Sequence, residues 1–199
     1  MRRISPIVFA FLLAGGELIA SDIESELREF AEREHPNDVG MQKYVFDQQF
    51  AAHKYLSTVE DLEVKDISER EHPSDYSMQK YIYDQQVAAK RYMSVAENVE
   101  IKEFAVFEHA NDYSMQKYVY DQQVAAEKYL SVVEDKEVAE FAALEHPNNY
   151  GMQKYIYDLQ LAAKSYMRSV TDKAAKENAT RKHPNDYAMQ KYTYEQLAN

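Results

Sequence analysis

A chain of 199 residues with a formal net charge of -11 lacks the basic surface that non-specific nucleic-acid binding or attraction to anionic lipid requires. Cys is absent, which excludes disulfides and a Cys-linked lipid anchor. Hydrophobic residues make up 45% of the chain and only 4 Gly and 5 Pro occur, so we expect a folded protein with few long loops.

The N-terminus has the layout of a secretory signal peptide. Two arginines form a positive start, residues 7–13 are apolar, and the segments Ala14-Gly15-Gly16 and Leu18-Ile19-Ala20 follow, with a small residue before the expected cut. We predict cleavage after Ala20, with a site nearer Gly16 as the alternative. An uncleaved anchor is the less favoured interpretation, because the apolar run is shorter than the roughly 20 residues of a membrane-spanning helix. Residues 21–199 would then be secreted, periplasmic or extracellular, without a membrane span.

The rest of the sequence repeats every 37 residues. A half unit, four full units and a second half unit form one domain, with the boundaries 21–33, 34–70, 71–107, 108–144, 145–181 and 182–199. A fixed period of this size is typical of repeat proteins in which each unit buries its apolar face on the next. We therefore predict an all-α fold of tandem helix-turn-helix units, stacked as an α-solenoid or an elongated bundle.

Each unit opens with a signal for the start of a helix. Pro disfavours helix in the residue before it, and the Asn, Ser or Asp that follows is a good N-cap. The third unit has Ala110 in place of Pro but keeps Asn111 and Asp112. Intervals of 3 and 4 then define a main apolar stripe and a narrower one nearly opposite. In the second unit the main stripe is Met78, Tyr81, Ile82, Gln85, Ala89, Tyr92, Met93 and Ala96, and the narrower stripe is Tyr76, Tyr83 and Val87.

A shorter second helix is predicted in each unit. Its N-caps are Asp61, Asn98, Asp135 and Asp172, and its apolar stripe in the second unit is Ile101, Phe104 and Ala105. No Gly or Pro marks the turn between the two helices, so one helix of about thirty residues per unit is the alternative. We favour two helices, because identical units stack equivalently only if each returns the chain to its starting direction.

One histidine per unit stands next to a Glu or, in the last half unit, a Lys: His35, His72, His109, His146 and His183. These could form a metal-binding or pH-sensing ladder. However, units stacked about 10 Å apart cannot share an ion whose ligands lie within roughly 2.0–2.6 Å. The Glu-x-x-His spacing of di-iron bundles is present in the first two copies, but Val106 and Ala143 replace the Glu in the next two. We interpret the histidines as turn residues near helix C-termini and predict no cofactor.

Two further features of the long helix bear on binding. Gln48, Gln85 and Gln122, with Leu159 in the fourth unit, lie at the centre of the main stripe, where a buried amide needs a hydrogen bond. We expect that bond to join neighbouring units; a polar floor for a ligand groove is the alternative. Most of the 17 Tyr are expected in the core. On the second face, Tyr83, Tyr120 and Tyr157 are the best candidates for an exposed, partner-binding ladder.

The helix-turn-helix units resemble tetratricopeptide-type solenoids in architecture. The resemblance stops there, since Trp is absent and the period of 37 exceeds the ~34 residues of that repeat. Asn178-Ala179-Thr180 is an N-glycosylation motif, which matters only in a eukaryotic source.

The sequence indicates a binding protein rather than an enzyme. No Cys exists, no Ser/His/Asp grouping stands apart from the repeats, and no Gly-rich phosphate loop occurs. We predict a secreted α-helical repeat protein that acts as a scaffold for another protein, such as a host-interaction effector or a surface antigen. The alternatives are a structural spacer or matrix protein, and a metal-binding protein that uses the Glu-His turns.

Overall fold

The computed structural model describes residues 22–198, and no strand occurs in that range. The predicted signal peptide, residues 1–20, lies outside the described part. Residues 22–34 form helix α1. The other helices, in chain order, are α2 (Val39–Leu56), α3 (Leu62–Glu71), α4 (Tyr76–Ser94), α5 (Val99–Glu108), α6 (Tyr113–Ser131), α7 (Lys136–Glu145), α8 (Tyr150–Ser169), α9 (Lys173–Lys182) and α10 (Tyr187–Leu197).

The prediction of an all-α fold with packed neighbouring helices is confirmed. Long helices, such as the 19 residues of α6, alternate with short helices, such as the 10 residues of α7. Helix α8 packs against α6, α7 and α10, in a bundle- or solenoid-like arrangement. The alternative of one long helix per unit is therefore wrong.

The short helices begin where the sequence predicts. Asp135 is the N-cap of α7, and its side chain accepts a hydrogen bond from the backbone N–H of Val138. The same bond is made by Asp61, Asn98 and Asp172 at the starts of α3, α5 and α9. A side chain that accepts from the N–H three residues on satisfies one of the four donors that a helix leaves unpaired at its N-terminus. These polar residues therefore mark the end of the turn between the long and the short helix of each unit, a turn without Gly or Pro.

The helices form two compact parts, which are distinct from the 37-residue units. The N-terminal part extends to Ala88 and the C-terminal part begins at Ala89, within α4. In the N-terminal part, the buried apolar side chains include Leu27, Val64 and Ile67. In the C-terminal part, three clusters recur, each with one apolar residue at or just after the end of a long helix, two from the next short helix and a Tyr from the following long helix. One such cluster is Val133, Val138, Ala142 and Tyr157. Each cluster thus joins three consecutive helices.

Within residues 22–198, none of the helices combines the length and the apolar character that crossing a membrane demands.

Candidate functional site

The tyrosines predicted to form an exposed ladder are buried. Tyr83, Tyr120 and Tyr157 expose only 6%, 7% and 3% of their surface. The ring of Tyr157 lies edge-on to that of Tyr129, with 6.1 Å between the ring centroids. Each ring is covered by the preceding long helix, so the prediction of an exposed ladder at these three positions is wrong.

The main stripe was predicted about one position out of register along the helix. Gln48, Gln85 and Gln122 are exposed, as is Leu159 in the fourth copy. The glutamines that are buried stand one residue further on, at Gln49, Gln86, Gln123 and Gln160. Because one residue turns a helix by about 100°, that shift moves the inward face by more than a quarter turn. Half of the predicted stripe therefore faces outward.

The sequence led us to expect a hydrogen bond between units from Gln48, Gln85 and Gln122. The buried glutamines one residue further on make that bond instead. Gln123 Nε2 donates to Asn149 Oδ1 at 3.0 Å, and Gly151 N donates to Gln123 Oε1 at 3.0 Å. Asn149 is the N-cap of α8. One amide therefore satisfies both the cap and an unpaired donor in the first turn of the next long helix. We call this arrangement the amide bridge; Gln49 and Gln160 form it too.

A second buried glutamine accounts for the histidine positions. Gln153 Nε2 donates to the backbone carbonyl of His146 at 2.8 Å. His146 is the C-cap of α7, and its own N–H donates to the carbonyl of Ala142. The equivalent bonds occur in all five copies. The histidine position thus serves the turn through its backbone. Among residues 22–198, no three His, Asp or Glu side chains lie close enough together to hold a metal ion.

Half-exposed tyrosines connect successive long helices. Tyr129 Oη donates to Asp158 Oδ1 at 2.9 Å, and Lys154 Nζ donates to Asp158 Oδ2 at 2.6 Å. Lys154 Nζ also lies 4.6 Å from the centroid of the Tyr129 ring, a cation–π distance. We call these three residues the tyrosine clamp. It recurs as Tyr55 with Lys80 and Asp84, and as Tyr92 with Lys117 and Asp121.

Hydrogen bonding shifts the pKa of two clamp side chains, Tyr129 and Asp121. The pKa of Tyr129 is raised, chiefly because its hydroxyl donates to the Asp158 carboxylate. Partial burial opposes ionisation of Asp121, but the hydrogen bonds from Lys117 and Tyr92 outweigh it and lower the pKa of that carboxyl. At neutral pH, Tyr129 is therefore protonated and Asp121 is ionised.

Beside the clamp, each long helix exposes a strip of side chains that carries no charge. In α6 its exposed residues are Met115, Tyr118, Gln122 and Ala125, at intervals of 3, 4 and 3. We call this set the outer stripe. It recurs in α2 (Met41, Tyr44, Gln48, Ala51), α4 (Met78, Tyr81, Gln85, Ala88), α8 (Met152, Tyr155, Leu159, Ala162) and α10 (Met189, Tyr192, Gln196). Its tyrosines are exposed by 56% to 61% and make no hydrogen bond within residues 22–198.

The outer stripe is the surface that the sequence interpretation missed. It assigned Tyr81 and Tyr118 to the core and chose Tyr83 and Tyr120 for the surface. The outer stripe offers flat aromatic rings, flexible thioethers and amides without a nucleophile, a general base or a set of metal ligands. Comparison of the chain with protein-family models, with curated proteins and with solved structures gives no match.

Proposed function

We propose that the chain is an exported scaffold that binds another protein through the outer stripe. The observation that carries this proposal is the uncharged, tyrosine-bearing outer face of every long helix, in a chain of which 29% of the residues are charged. An exposed helix face is ordinarily polar, because water solvates its side chains. Exposed apolar surface of this kind is typical of protein interaction sites.

The outer stripes of α6, α8 and α10 belong to helices that pack side by side. Helix α8 packs against both α6 and α10. Gln123 bonds to Asn149, and Tyr129, six residues later, bonds to Asp158. Contacts that run in the same order on both helices mean that α6 and α8 are parallel. A partner can therefore meet the same set of side chains on successive helices.

The chemistry of the outer stripe favours an uncharged, partly apolar partner surface. Tyr118 offers a rigid ring and a free hydroxyl, which give large contact area at a low cost in side-chain entropy. Met115 is flexible and adapts to irregular apolar surfaces. The nearest charges, Lys117 and Asp121, bond to each other at 2.6 Å and so do not compete for a charged partner.

The test is capture of proteins from an extract by the exported chain and by two variants. The first variant, Tyr118→Ser, Tyr155→Ser and Tyr192→Ser, removes the aromatic rings of the outer stripe from α6, α8 and α10. The matched control, Phe107→Ser, Val132→Ser and Leu144→Ser, removes apolar side chains that are 75% to 82% exposed and lie elsewhere in the C-terminal part. We expect the captured protein to be lost with the first variant and kept with the control. Equal capture by both variants would contradict the proposal.

Export is part of the proposal. It is supported by the signal-peptide layout of residues 1–20. N-terminal sequencing of the chain secreted by its host cell tests it, and we expect the sequence to begin at Ser21. Retention of the full-length chain inside the cell would contradict it.

The amide bridge and the tyrosine clamp favour a second candidate, a structural spacer. Both tie each long helix to the next without any ligand, which suits a molecule that acts through its length. Deletion of residues 108–144 removes one repeat and keeps the register of the others. A spacer is expected to work in proportion to the remaining length, whereas a binder loses affinity when contact points are removed.

A further inference from the structure

We propose that the outer face of α1 and α2 binds a helix from another protein that carries Gln at one position and Tyr six residues later. This site is separate from the outer stripe. The array contains its own examples of such a helix, seated on an equivalent face. The ligand can therefore be described from contacts present in the structure.

The seat of α8 shows how a helix of this kind is held. Gln123 of α6 forms the amide bridge to Asn149, and Tyr129, six residues later, completes the tyrosine clamp. Leu130 packs against the buried cluster of Val133, Val138, Ala142 and Tyr157. An amide, a phenol and an apolar side chain therefore fix the position of the bound helix along its length.

Helix α2 carries the same receiving residues. Asp38 is its N-cap and accepts from Met41 N at 2.9 Å. Lys43 Nζ donates to Asp47 Oδ2 at 2.6 Å, as Lys154 does to Asp158. Phe46 stands where α8 has Tyr157, so the aromatic floor of the site is kept. The seat is thus complete in its polar and aromatic parts.

Nothing in residues 22–198 completes the clamp on this face. The side chains of Lys43 and Asp47 are 76% and 53% exposed, against 42% and 43% for the equivalent Lys154 and Asp158. An open cleft of about 380 Å³ lies beside them, lined by Ala31, Gln42, Lys43, Phe46 and Asp47 among others. The Arg28 guanidinium lies 5.2 Å from the centroid of the Phe46 ring and shields one side of it.

Among the helices of residues 22–198, none is free and carries the required residues. The long helices that carry the pair already use it on their neighbours, and α10 has Leu197 where Gln is needed. Within residues 1–21, the equivalent positions are Leu12 and Leu18, which have neither an amide nor a phenol. The occupant is therefore a helix of a different chain, bound in a groove by an apolar face and two polar anchors.

The test uses the exported chain and a labelled synthetic peptide with the sequence of residues 113–132, followed by fluorescence anisotropy. We expect saturable binding that weakens at least tenfold when the peptide carries Gln123→Ala together with Tyr129→Ala. These changes leave the protein untouched, so misfolding cannot mimic the result. A peptide that fails to bind, or that binds equally well with both changes, overturns the proposal.

Variants of the protein locate the bound peptide. Asp47→Ala is expected to weaken binding at least fivefold, because it removes the acceptor for the peptide's Tyr hydroxyl. The matched control is Asp158→Ala, which opens an internal clamp that α6 already occupies, and it is expected to leave peptide affinity unchanged. Weakening by Asp158→Ala but not by Asp47→Ala would mean that the peptide invades an internal interface, and would overturn the proposal.

Discussion

Tyr129 and Asp158, 29 residues apart, form a hydrogen bond of 2.9 Å that joins two parallel long helices. Lys154 closes the arrangement, since it bonds to the other carboxylate oxygen at 2.6 Å and lies over the tyrosine ring. The ion pair alone lies within α8, where an exposed pair four residues apart contributes only about 0.3–0.5 kcal/mol. The tyrosine is the member that turns a local pair into a link between units.

We therefore predict that Tyr129→Phe and Asp158→Ala are coupled. Each alone is expected to reduce the free energy of unfolding, because each removes the hydrogen bond between the two helices. The double variant is expected to lose less than the sum, because both remove the same bond. Urea denaturation of the four chains measures the coupling. Tyr155→Phe is the control, since its hydroxyl has no partner in the described part of the chain, and additive effects of the first two changes would contradict the prediction.

Adjacent glutamines on α6 are expected to differ sharply in their importance. Gln123→Ala removes the amide bridge and leaves Gly151 N and the Asn149 cap with fewer partners, at a cost of about 1–3 kcal/mol. Gln122→Ala, one residue away on the outer stripe, is expected to change stability by less than about 0.5 kcal/mol. Thermal or urea unfolding of the two variants makes the comparison. Similar losses for both would mean that the amide bridge contributes nothing to stability.

The caps and the short helices could be predicted from sequence because their signals are local. Asp135 and its equivalents bond to an N–H three residues away, and Val138 and Ala142 repeat as an ordinary apolar stripe. The long helices could not be oriented in the same way. Their buried face includes Gln116 and Gln123, which an apolar count scores as surface, while their outer face includes Met115 and Tyr118, which it scores as core.

The error has a physical origin. A buried glutamine is stable only if its amide finds partners, and here those partners are a helix cap in the next unit and a backbone carbonyl in the turn. Neither partner can be identified until the helices are packed. The exposure of Tyr118 has a similar cause, since no part of the described chain covers the face of α6 on which its ring lies. Long-range packing therefore decides which of two plausible faces is inside.

The ion cluster around Lys164 makes a pH-dependent contribution to stability. Lys164 Nζ lies 2.9 Å from Asp135 and 2.8 Å from Glu137, and its side chain is only 12% exposed. The hydrogen bond from Lys164 lowers the pKa of Asp135 and, with that from Tyr187, lowers the pKa of Glu137. A carboxyl with a lowered pKa stabilises the folded state above its unfolded pKa, near about 4, and loses that contribution as the pH falls through the folded value.

We predict that Lys164→Met reduces the free energy of unfolding at neutral pH by roughly 1–3 kcal/mol, because two carboxylates lose their cation in a partly buried site. The variant is also expected to show a shallower loss of stability between about pH 5 and pH 2, since the pKa values of Asp135 and Glu137 return towards ordinary. Denaturant unfolding across that range measures both effects. Lys173→Met, at an exposed position, is the control; an equal acid dependence in wild type and Lys164→Met would contradict this account.

The position of Lys164 is filled by Glu127 one unit earlier, and its partner changes with it. Glu127 Oε2 accepts from Asn98 Nδ2 at 3.1 Å, where the next unit pairs Lys164 with Asp135. Burial, followed by the charges of Glu127 and Glu100, raises the pKa of Tyr150 beside them, which indicates that the site already carries a negative field. A third carboxylate there would face Glu127, where the next copy of the repeat has Lys164.

Asn98→Asp is therefore expected to destabilise the chain by about 1–2 kcal/mol, although Asp is as good an N-cap as Asn. Glu127→Lys on that background recreates the pairing of the next unit and is expected to recover most of the loss. The pair should show a favourable coupling of roughly 1–3 kcal/mol in a double-mutant cycle measured by urea unfolding. If Asn98→Asp is neutral, or if Glu127→Lys fails to rescue it, charge at this position does not determine which copies of the repeat can stand next to each other.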